Sequence, residues 1–265
     1  MLTSTASAAR VTVAPSPQDQ KRARIFGVLF ALTWVTAIAG LLLYDPVLND
    51  ADFVLGAGSE TRVQLGALAE IFLAITNIGT AIVIWPYVRR QNQTLALGYV
   101  ASRVVESTVI VVGLISLLSV VALREDLAGS AADAGTLTAV GQSLVAVHDM
   151  TFLLGPGFCV GVNGILLGYL FLKSGLVPRN IAMLGVIGGP LLFASSAAVL
   201  FGAYEQSGAH MLFALPVMLF EASITIYTLW KGFRPSHVFA EVGSNEGRSN
   251  GAPELSSREV LVTAS

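Results

Sequence analysis

Residues Leu95–Gly113 read LALGYVASRVVESTVIVVG and set an arginine and a glutamate inside an otherwise apolar run. Arg103 and Glu106 are spaced i, i+3, so a helix brings both side chains to one face. The apolar residues continue to Leu123, which makes the run long enough to cross a membrane. Because charges in hydrocarbon are strongly disfavoured, such residues usually face the interior of a helix bundle with a partner. The stretch therefore predicts a central transmembrane helix around which the other helices assemble.

The composition of the whole chain indicates the same class of protein. Hydrophobic residues make up 54% of the 265 residues, and charged residues make up only 12%. Soluble domains carry about 25% charged residues. We therefore predict an all-α fold, a polytopic membrane protein built as a bundle of six transmembrane helices. The expected partner is the lipid bilayer, with a small molecule or lipid as candidate ligand and no nucleic acid, and the sequence leaves the oligomeric state open.

Hydrophobic runs predict three regions in the chain. Residues 1–24 form a polar leader, 25–234 the transmembrane domain and 235–265 a polar tail, and both tails are expected to be disordered. The predicted spans cover residues 25–43, 63–87, 97–123, 151–172, 181–201 and 211–230. The first span also resembles a signal peptide, but its apolar run continues past the small residues Ala37–Ala39, which favours a retained helix.

The distribution of basic residues predicts the orientation of the spans. Lysines and arginines cluster before the first span and after the second, fourth and sixth, whereas the other loops are acidic or nearly uncharged. This alternation follows the positive-inside rule. It predicts that both termini are cytoplasmic and that the loops after the first, third and fifth spans lie outside.

Polar residues near mid-membrane depth define a candidate central layer. Its members are Asn77, Arg103, Glu106, Asn163 and Glu221. Arg103 can neutralise one of the two carboxyls, so the other must be protonated, hydrated or paired with a ligand, because an isolated buried carboxylate is strongly disfavoured. Two interpretations remain open: a ligand-binding or proton-linked site, or a structural bridge between helices. For the two asparagines alone, interhelical hydrogen bonds are the expected role.

A second set of polar residues falls near the outer boundary and comprises Glu70, His148 and Asp149. A histidine and two carboxylates are ligands that a divalent metal can use. However, His148 and Asp149 are adjacent and point about 100° apart on a helix, so both face one small site poorly. We therefore interpret this outer layer as solvated boundary residues and predict no metal and no cofactor.

Small and helix-breaking residues mark the fourth hydrophobic run, which covers residues 136–172. As one helix it would extend about 55 Å against a hydrocarbon core of about 30 Å, so its first turns are expected to project from the membrane. Gly155–Pro156–Gly157 predicts a break or bend. Gly161, Gly164 and Gly168 predict close packing against a neighbouring helix.

Several short motifs, in this order, resemble the bacterial membrane family called domain of unknown function 4386. They are Leu95-Ala-Leu with Arg103-Val-Val-Glu106, Gly175-Leu-Val-Pro-Arg179, Pro216 with Glu221, and Lys231-Gly-Phe233. The resemblance covers about residues 20 to 234 and omits both tails. It implies six spans, the buried arginine and glutamates, and a bacterial cytoplasmic membrane. It implies no activity or substrate.

Three hypotheses for function follow from these patterns. The first is binding or transport of a small molecule, lipid or proton at Glu221 and Glu106, with Arg103 as counter-ion. The second is a non-catalytic partner protein whose buried charges only join helices. The third is an intramembrane enzyme acting on lipid, with Glu70, His148 and Asp149 near the outer surface. A polar cavity beside Glu221 would favour the first hypothesis, and a filled core the second.

Overall fold

The computed structural model describes residues 12–126 and 133–240, and the polypeptide there is almost entirely helical. The helices are α1 Pro17–Leu43, α2 Asp45–Asn49, α3 Glu60–Gln91, α4 Gln93–Asp126, α5 Ala134–Phe152, α6 Val160–Ser174, α7 Arg179–Leu200 and α8 Gly208–Trp230. A π-helical segment, Leu153–Cys159, joins α5 to α6 without a break. Within the described ranges, six helices are long and apolar enough to cross a membrane, with α5, the π segment and α6 counted as one. The predicted six-span helical fold is confirmed.

The spanning helices form a closed ring in the order of the chain. α1 packs on α3, α3 on α4, α4 on α6, α6 on α7, and α7 on α8, which packs back on α1. The start of α1 and the end of α8 lie at one end of this ring, called the terminal end below. The C-terminal ends of α1, α4 and α7 lie at the other, called the opposite end.

The first helix begins earlier than the sequence predicted, so the expected disorder of residues 1–24 is wrong for residues 17–24. Ser16 and Asp19 form a capping box, in which the Asp19 N–H donates to Ser16 Oγ at 3.2 Å and the Ser16 N–H donates to Asp19 Oδ2 at 2.9 Å. Pro17 follows at the first helical position, where its missing N–H is not needed. Because of this capping box and proline, α1 begins within the polar segment that precedes the apolar run. Residues 1–11 of the predicted leader lie outside the described residues.

The predicted tail also differs from the structure over residues 235–240. Ser236 pairs through its backbone with Val13, and the buried side chains of Val238 and Phe239 pack against the terminal end. The Phe239 ring lies 5.8 Å from the ring of Tyr87 at the end of α3. Apolar burial therefore orders this segment. The rest of the predicted tail, residues 241–265, lies outside the described residues.

The Gly155–Pro156–Gly157 sequence widens the helix instead of breaking it. Proline lacks an N–H and the glycines lack side chains, so the i→i−4 pattern is replaced by the π-helical turn of Leu153–Cys159. This turn lies level with the buried arginine and lines a cavity beside it.

The glycines of the fourth run allow a close crossing of α6 and α7. A Cβ at Gly168 would lie 2.7 Å from the backbone nitrogen of Val186, and one at Gly189 would lie 2.5 Å from the carbonyl oxygen of Gly161. These distances are too short for any side chain. The small-residue spacing thus serves packing within the chain, as the sequence predicted.

Apolar side chains cover the outside of the ring, as they do in a protein whose solvent is lipid. Leu32, Ile75, Ile82 and Ile226 are each between 42% and 62% exposed. Polar residues such as Asn77, Thr80 and Arg103 are instead buried inside. This arrangement, with the six long apolar helices, describes a multi-pass membrane protein.

Candidate functional site

The structure brings the central-layer residues into one hydrogen-bonded cluster inside the ring. Asn77 comes from α3, Arg103 and Glu106 from α4, Asn163 from α6 and Glu221 from α8. Each residue projects inward because its helix keeps an apolar stripe toward the lipid. The cluster therefore ties together the helices that were predicted to line a polar centre.

Arg103 lies at the centre of this cluster with its charge distributed over several partners. Its Nη1 donates to Asn77 Oδ1 and to Glu106 Oε2, both at 3.0 Å, and its Nε donates to the Tyr99 hydroxyl at 3.2 Å. The guanidinium carbon also lies over the Phe30 ring, 5.1 Å from its centre, as a cation–π contact. A delocalised charge with several donors in a fixed fork suits arginine and would not suit lysine.

Glu106 is a fully partnered carboxylate. In addition to Arg103, the side-chain amide of Asn77 donates to its Oε1 at 3.0 Å, and the amide of Asn163 donates to its Oε2 at 2.6 Å. The orientation of Asn163 is set by this contact, because a flipped amide would place its oxygen against the carboxylate. Arg103 and Glu106 thus form a buried ion pair whose polar atoms are held by two asparagines.

Glu221 is held much more loosely than Glu106. Within the described residues its hydrogen bond is with Arg103 Nη2, at a long 3.5 Å from Oε1, and the Trp34 indole of α1 also faces it. The Glu221 side chain is 18% exposed, whereas that of Glu106 is 5% exposed. With Arg103 already paired to Glu106, Glu221 is the carboxyl in excess and the one with free space in front of it.

That space is a cavity of about 280 Å³ between α1 and α8. Its polar wall holds Asn77, Arg103, Glu106 and Glu221, and its remaining surface is mostly apolar. α1 and α8 are in tight contact toward the terminal end, where a Cβ at Gly27 would lie 2.8 Å from Leu229 Cγ. Farther along, the cavity separates the two helices and reaches Gln206 and His210 near the opposite end.

The outer-layer residues are only partly brought together. Glu70 Oε2 accepts a hydrogen bond from the Tyr44 hydroxyl at 3.0 Å, and the His148 ring lies 5.7 Å from the Tyr44 ring in an edge-on arrangement. Burial raises the pKa of the Tyr44 phenol, which therefore remains a neutral donor. Asp149 points away, with its side chain 60% exposed. The side chains of His148 and Asp149 thus point in different directions, as expected for adjacent residues on a helix.

Neither layer forms a cluster typical of a metal site. Across residues 12–126 and 133–240, no group of three or more histidine, cysteine, aspartate or glutamate side chains converges as metal ligands would. The single cysteine, Cys159, lies in the π segment as a free thiol.

The structure adds aromatic residues that the sequence interpretation omitted. The Tyr99 hydroxyl accepts a hydrogen bond from Arg103. Tyr99 lies four residues before Arg103 on α4, and residues spaced i, i+4 share a helix face, so the sequence alone could have indicated this contact. Phe30 and Tyr44 belong to α1 and its end, far away in the sequence. Their contacts with Arg103 and Glu70 depend on helix order, so no local pattern indicated them.

Comparison with known proteins assigns the chain to a family. A family model described as "Domain of unknown function (DUF4386)" matches residues 25–232, which confirms the predicted resemblance and most of its extent. Among curated proteins and among solved structures, none matches this chain. The matched region contains every residue of the central cluster. The chain therefore belongs to the DUF4386 family of domains of unknown function.

Proposed function

We propose that this protein binds a small lipophilic cation in the cavity between α1 and α8, with Glu221 as the group that contacts the positive charge. The observation that carries the proposal is the unequal partnering of the two carboxyls around one arginine. Side-chain hydrogen-bond donors surround the Glu106 carboxylate, whereas Glu221 faces a cavity of about 280 Å³ that is mainly apolar. An apolar cavity with one excess carboxylate favours a ligand that is apolar and cationic.

The position of the cavity supports entry from the bilayer. Ile38 on α1 and Met211 on α8 both line the cavity, and they are 52% and 55% exposed on the side of the bundle. A ligand dissolved in the hydrocarbon can therefore reach Glu221 between these helices. The positive-inside pattern and the family resemblance support placing the protein in a bacterial cytoplasmic membrane, with the terminal end inside and the cavity in the outer half.

The cavity favours binding over a purely structural role for the cluster. A protein whose buried charges serve only to join helices would be expected to fill the space beside Glu221. The volume of the cavity is close to the lower limit of about 300 Å³ for ligand pockets. The ligand is therefore expected to be small, comparable to a substituted aromatic amine.

A matched pair of probes tests the proposal on detergent-purified protein. Benzyltrimethylammonium carries a charge, and neopentylbenzene is its neutral carbon analogue. Wild type should bind the cation more tightly, and Glu221→Gln should weaken cation binding by at least about tenfold, or about 1.4 kcal/mol, while leaving the neutral analogue unaffected. The stability of Glu221→Gln should equal or exceed that of wild type, as is common when a functional charge is removed.

The control is Glu125→Gln, which neutralises an exposed carboxyl at the end of α4. It should bind both probes as wild type does. Equal affinity of wild type for the two probes, or unchanged cation affinity in Glu221→Gln, would contradict the proposal.

A further inference from the structure

A second polar site lies nearer the opposite end and is separate from the arginine cluster. It is a cavity of about 60 Å³ whose polar lining comes from Tyr44, Glu70, His148 and Thr151. These side chains belong to the end of α1, to α3 and to α5. One water molecule needs about 10–15 Å³ of such space, so this cavity has room for a few.

The His148 side chain provides a polar atom that needs a partner. The residue is only 6% exposed, and within the described part of the chain its Nδ1 makes no hydrogen bond. The nearest carboxylate oxygen of Asp149 is 3.7 Å away, beyond hydrogen-bond length. A buried imidazole nitrogen without a partner is unfavourable, so His148 gains when protonation or a small ring movement brings this nitrogen a partner.

Glu70 is the acidic group of this site. The Tyr44 hydroxyl holds one of its oxygens at 3.0 Å, which leaves the remaining lone pairs of the carboxylate directed at the same small cavity. The walls between these groups are apolar or small, including Leu73, Ile110 and Gly113. An imidazole and a carboxylate thus both line a space sized for water.

A route to bulk water exists on the outer side of His148. A recess of about 630 Å³ at the opposite end is lined by His148, Asp149, Tyr204, Glu205 and Gln206. His148 borders both this recess and the small cavity, as do the apolar side chains of Leu41 and Phe152, so His148 is the polar residue that the two spaces share. Histidine is the side chain whose ordinary titration range suits exchange of a proton at such a boundary.

We propose that Glu70, Tyr44 and His148 form a hydrated proton-binding site distinct from the Arg103 cluster. A proton arrives from the recess, His148 accepts it on its imidazole, and the Glu70 carboxylate balances the resulting charge across the water. Tyr44 orients that carboxylate and keeps its own proton. The groups that also face His148, namely Asp149, Tyr204 and Glu205, lie on the solvent side. The inference does not depend on the identity of a ligand in the larger cavity.

Histidine nuclear magnetic resonance tests this site directly, because the chain contains 3 histidines, His148, His210 and His237. Protein labelled with carbon-13 histidine should give resolvable signals, and His148→Gln assigns the relevant one. The His148 signal should titrate as the pH is lowered, which marks proton uptake by its imidazole. In Glu70→Gln its midpoint should move to lower pH by about one unit, because the carboxylate that attracts the proton is gone.

Asp149→Asn is the matched control, since it removes the other nearby carboxylate. It should move the midpoint less, because Asp149 is 60% exposed and water and salt screen its charge. A His148 signal that does not titrate, a midpoint unchanged by Glu70→Gln, or a larger shift in Asp149→Asn overturns the proposal.

A reciprocal measurement covers the case in which Glu70→Gln does not fold. The infrared carboxyl band of Glu70, assigned by its displacement in Glu70→Asp, should titrate at a different pH in His148→Gln than in wild type. Identical titration of that band in the two proteins also overturns the proposal.

Discussion

Arg103 is the residue on which the buried polar cluster depends. It is 3% exposed, and its donors are divided among Tyr99, Asn77, Glu106 and Glu221. Buried ion pairs often add little stability compared with apolar residues of similar size, but removing one partner leaves an uncompensated charge. The arginine is therefore what allows two carboxyls to lie inside the bundle.

Replacing Arg103 with glutamine should destabilise the protein severely. Arg103→Gln leaves Glu106 and Glu221 buried without a cation, and such a loss is typically about 3–5 kcal/mol of unfolding free energy. The melting temperature in detergent measures this effect. Arg62→Gln is the control, because Arg62 is exposed and its side chain donates to the Leu42 carbonyl. A melting temperature of Arg103→Gln equal to that of Arg62→Gln would contradict the central role of Arg103.

At the scale of helices, α6 and α7 show why glycine spacing matters in this fold. Their backbones approach so closely that Gly161 and Gly189 are in direct contact. Association of helices in lipid depends on such packing, because apolar side chains gain little by leaving hydrocarbon. The crossing places Asn163 against Glu106, so the packing of two helices positions a polar residue of the cluster.

A single methyl group should disturb this crossing. Gly189→Ala places a Cβ about 2.5 Å from the Gly161 carbonyl oxygen, where only backbone movement relieves the clash. The expected loss is about 1–3 kcal/mol, as in other overpacked interiors, and chemical denaturation in detergent measures it. Gly98→Ala is the matched control on α4, where the nearest atom would be 3.7 Å away. It should be neutral or slightly stabilising; similar losses in both variants would contradict the argument.

Over the whole molecule, the two ends of the bundle are built differently. At the terminal end, Gln20 exchanges two hydrogen bonds with the backbone of Phe233, each 3.0 Å long, and Arg90 donates to the Val238 carbonyl at 2.9 Å. The helices are therefore tied together by the segment that follows α8. Toward the opposite end, cavities separate α1 from α8 and adjoin His148. These cavities reach the polar interior from the half of the bundle nearer the opposite end.

Removing the ring of Phe239 should weaken the terminal end. Phe239 is 4% exposed and packs edge-on against Tyr87, so Phe239→Ala is expected to reduce the unfolding free energy by about 3–5 kcal/mol. Thermal unfolding in detergent measures this change. Phe201→Ala removes a ring that is 87% exposed and should have little effect. Equal stability of the two variants would show that residues after α8 do not contribute to the fold.

The sequence by itself determined the class of fold, the number of spans and their order. These depend on local properties, since the length and apolarity of a run decide whether its helix can cross a membrane. Helix ends were less predictable. α1 begins at Pro17 because of a capping box, and residues 236–239 are ordered by burial against Tyr87. The polar residues of the central layer were also recognisable in the sequence, because charged residues are rare within membrane-spanning hydrophobic segments. Their function stays a prediction.

The tertiary structure alone decided which carboxyl is free. The sequence places Glu106 three residues after Arg103 and Glu221 on another helix, but spacing alone leaves open which of the two carboxyls Arg103 neutralises. They differ because Asn77 and Asn163 converge on Glu106 from other helices, whereas the separation of α1 from α8 leaves space beside Glu221. In the same way, Tyr44 meets Glu70 only when α1 packs on α3. Contacts between distant segments depend on helix order and crossing geometry, which no local pattern of residues encodes.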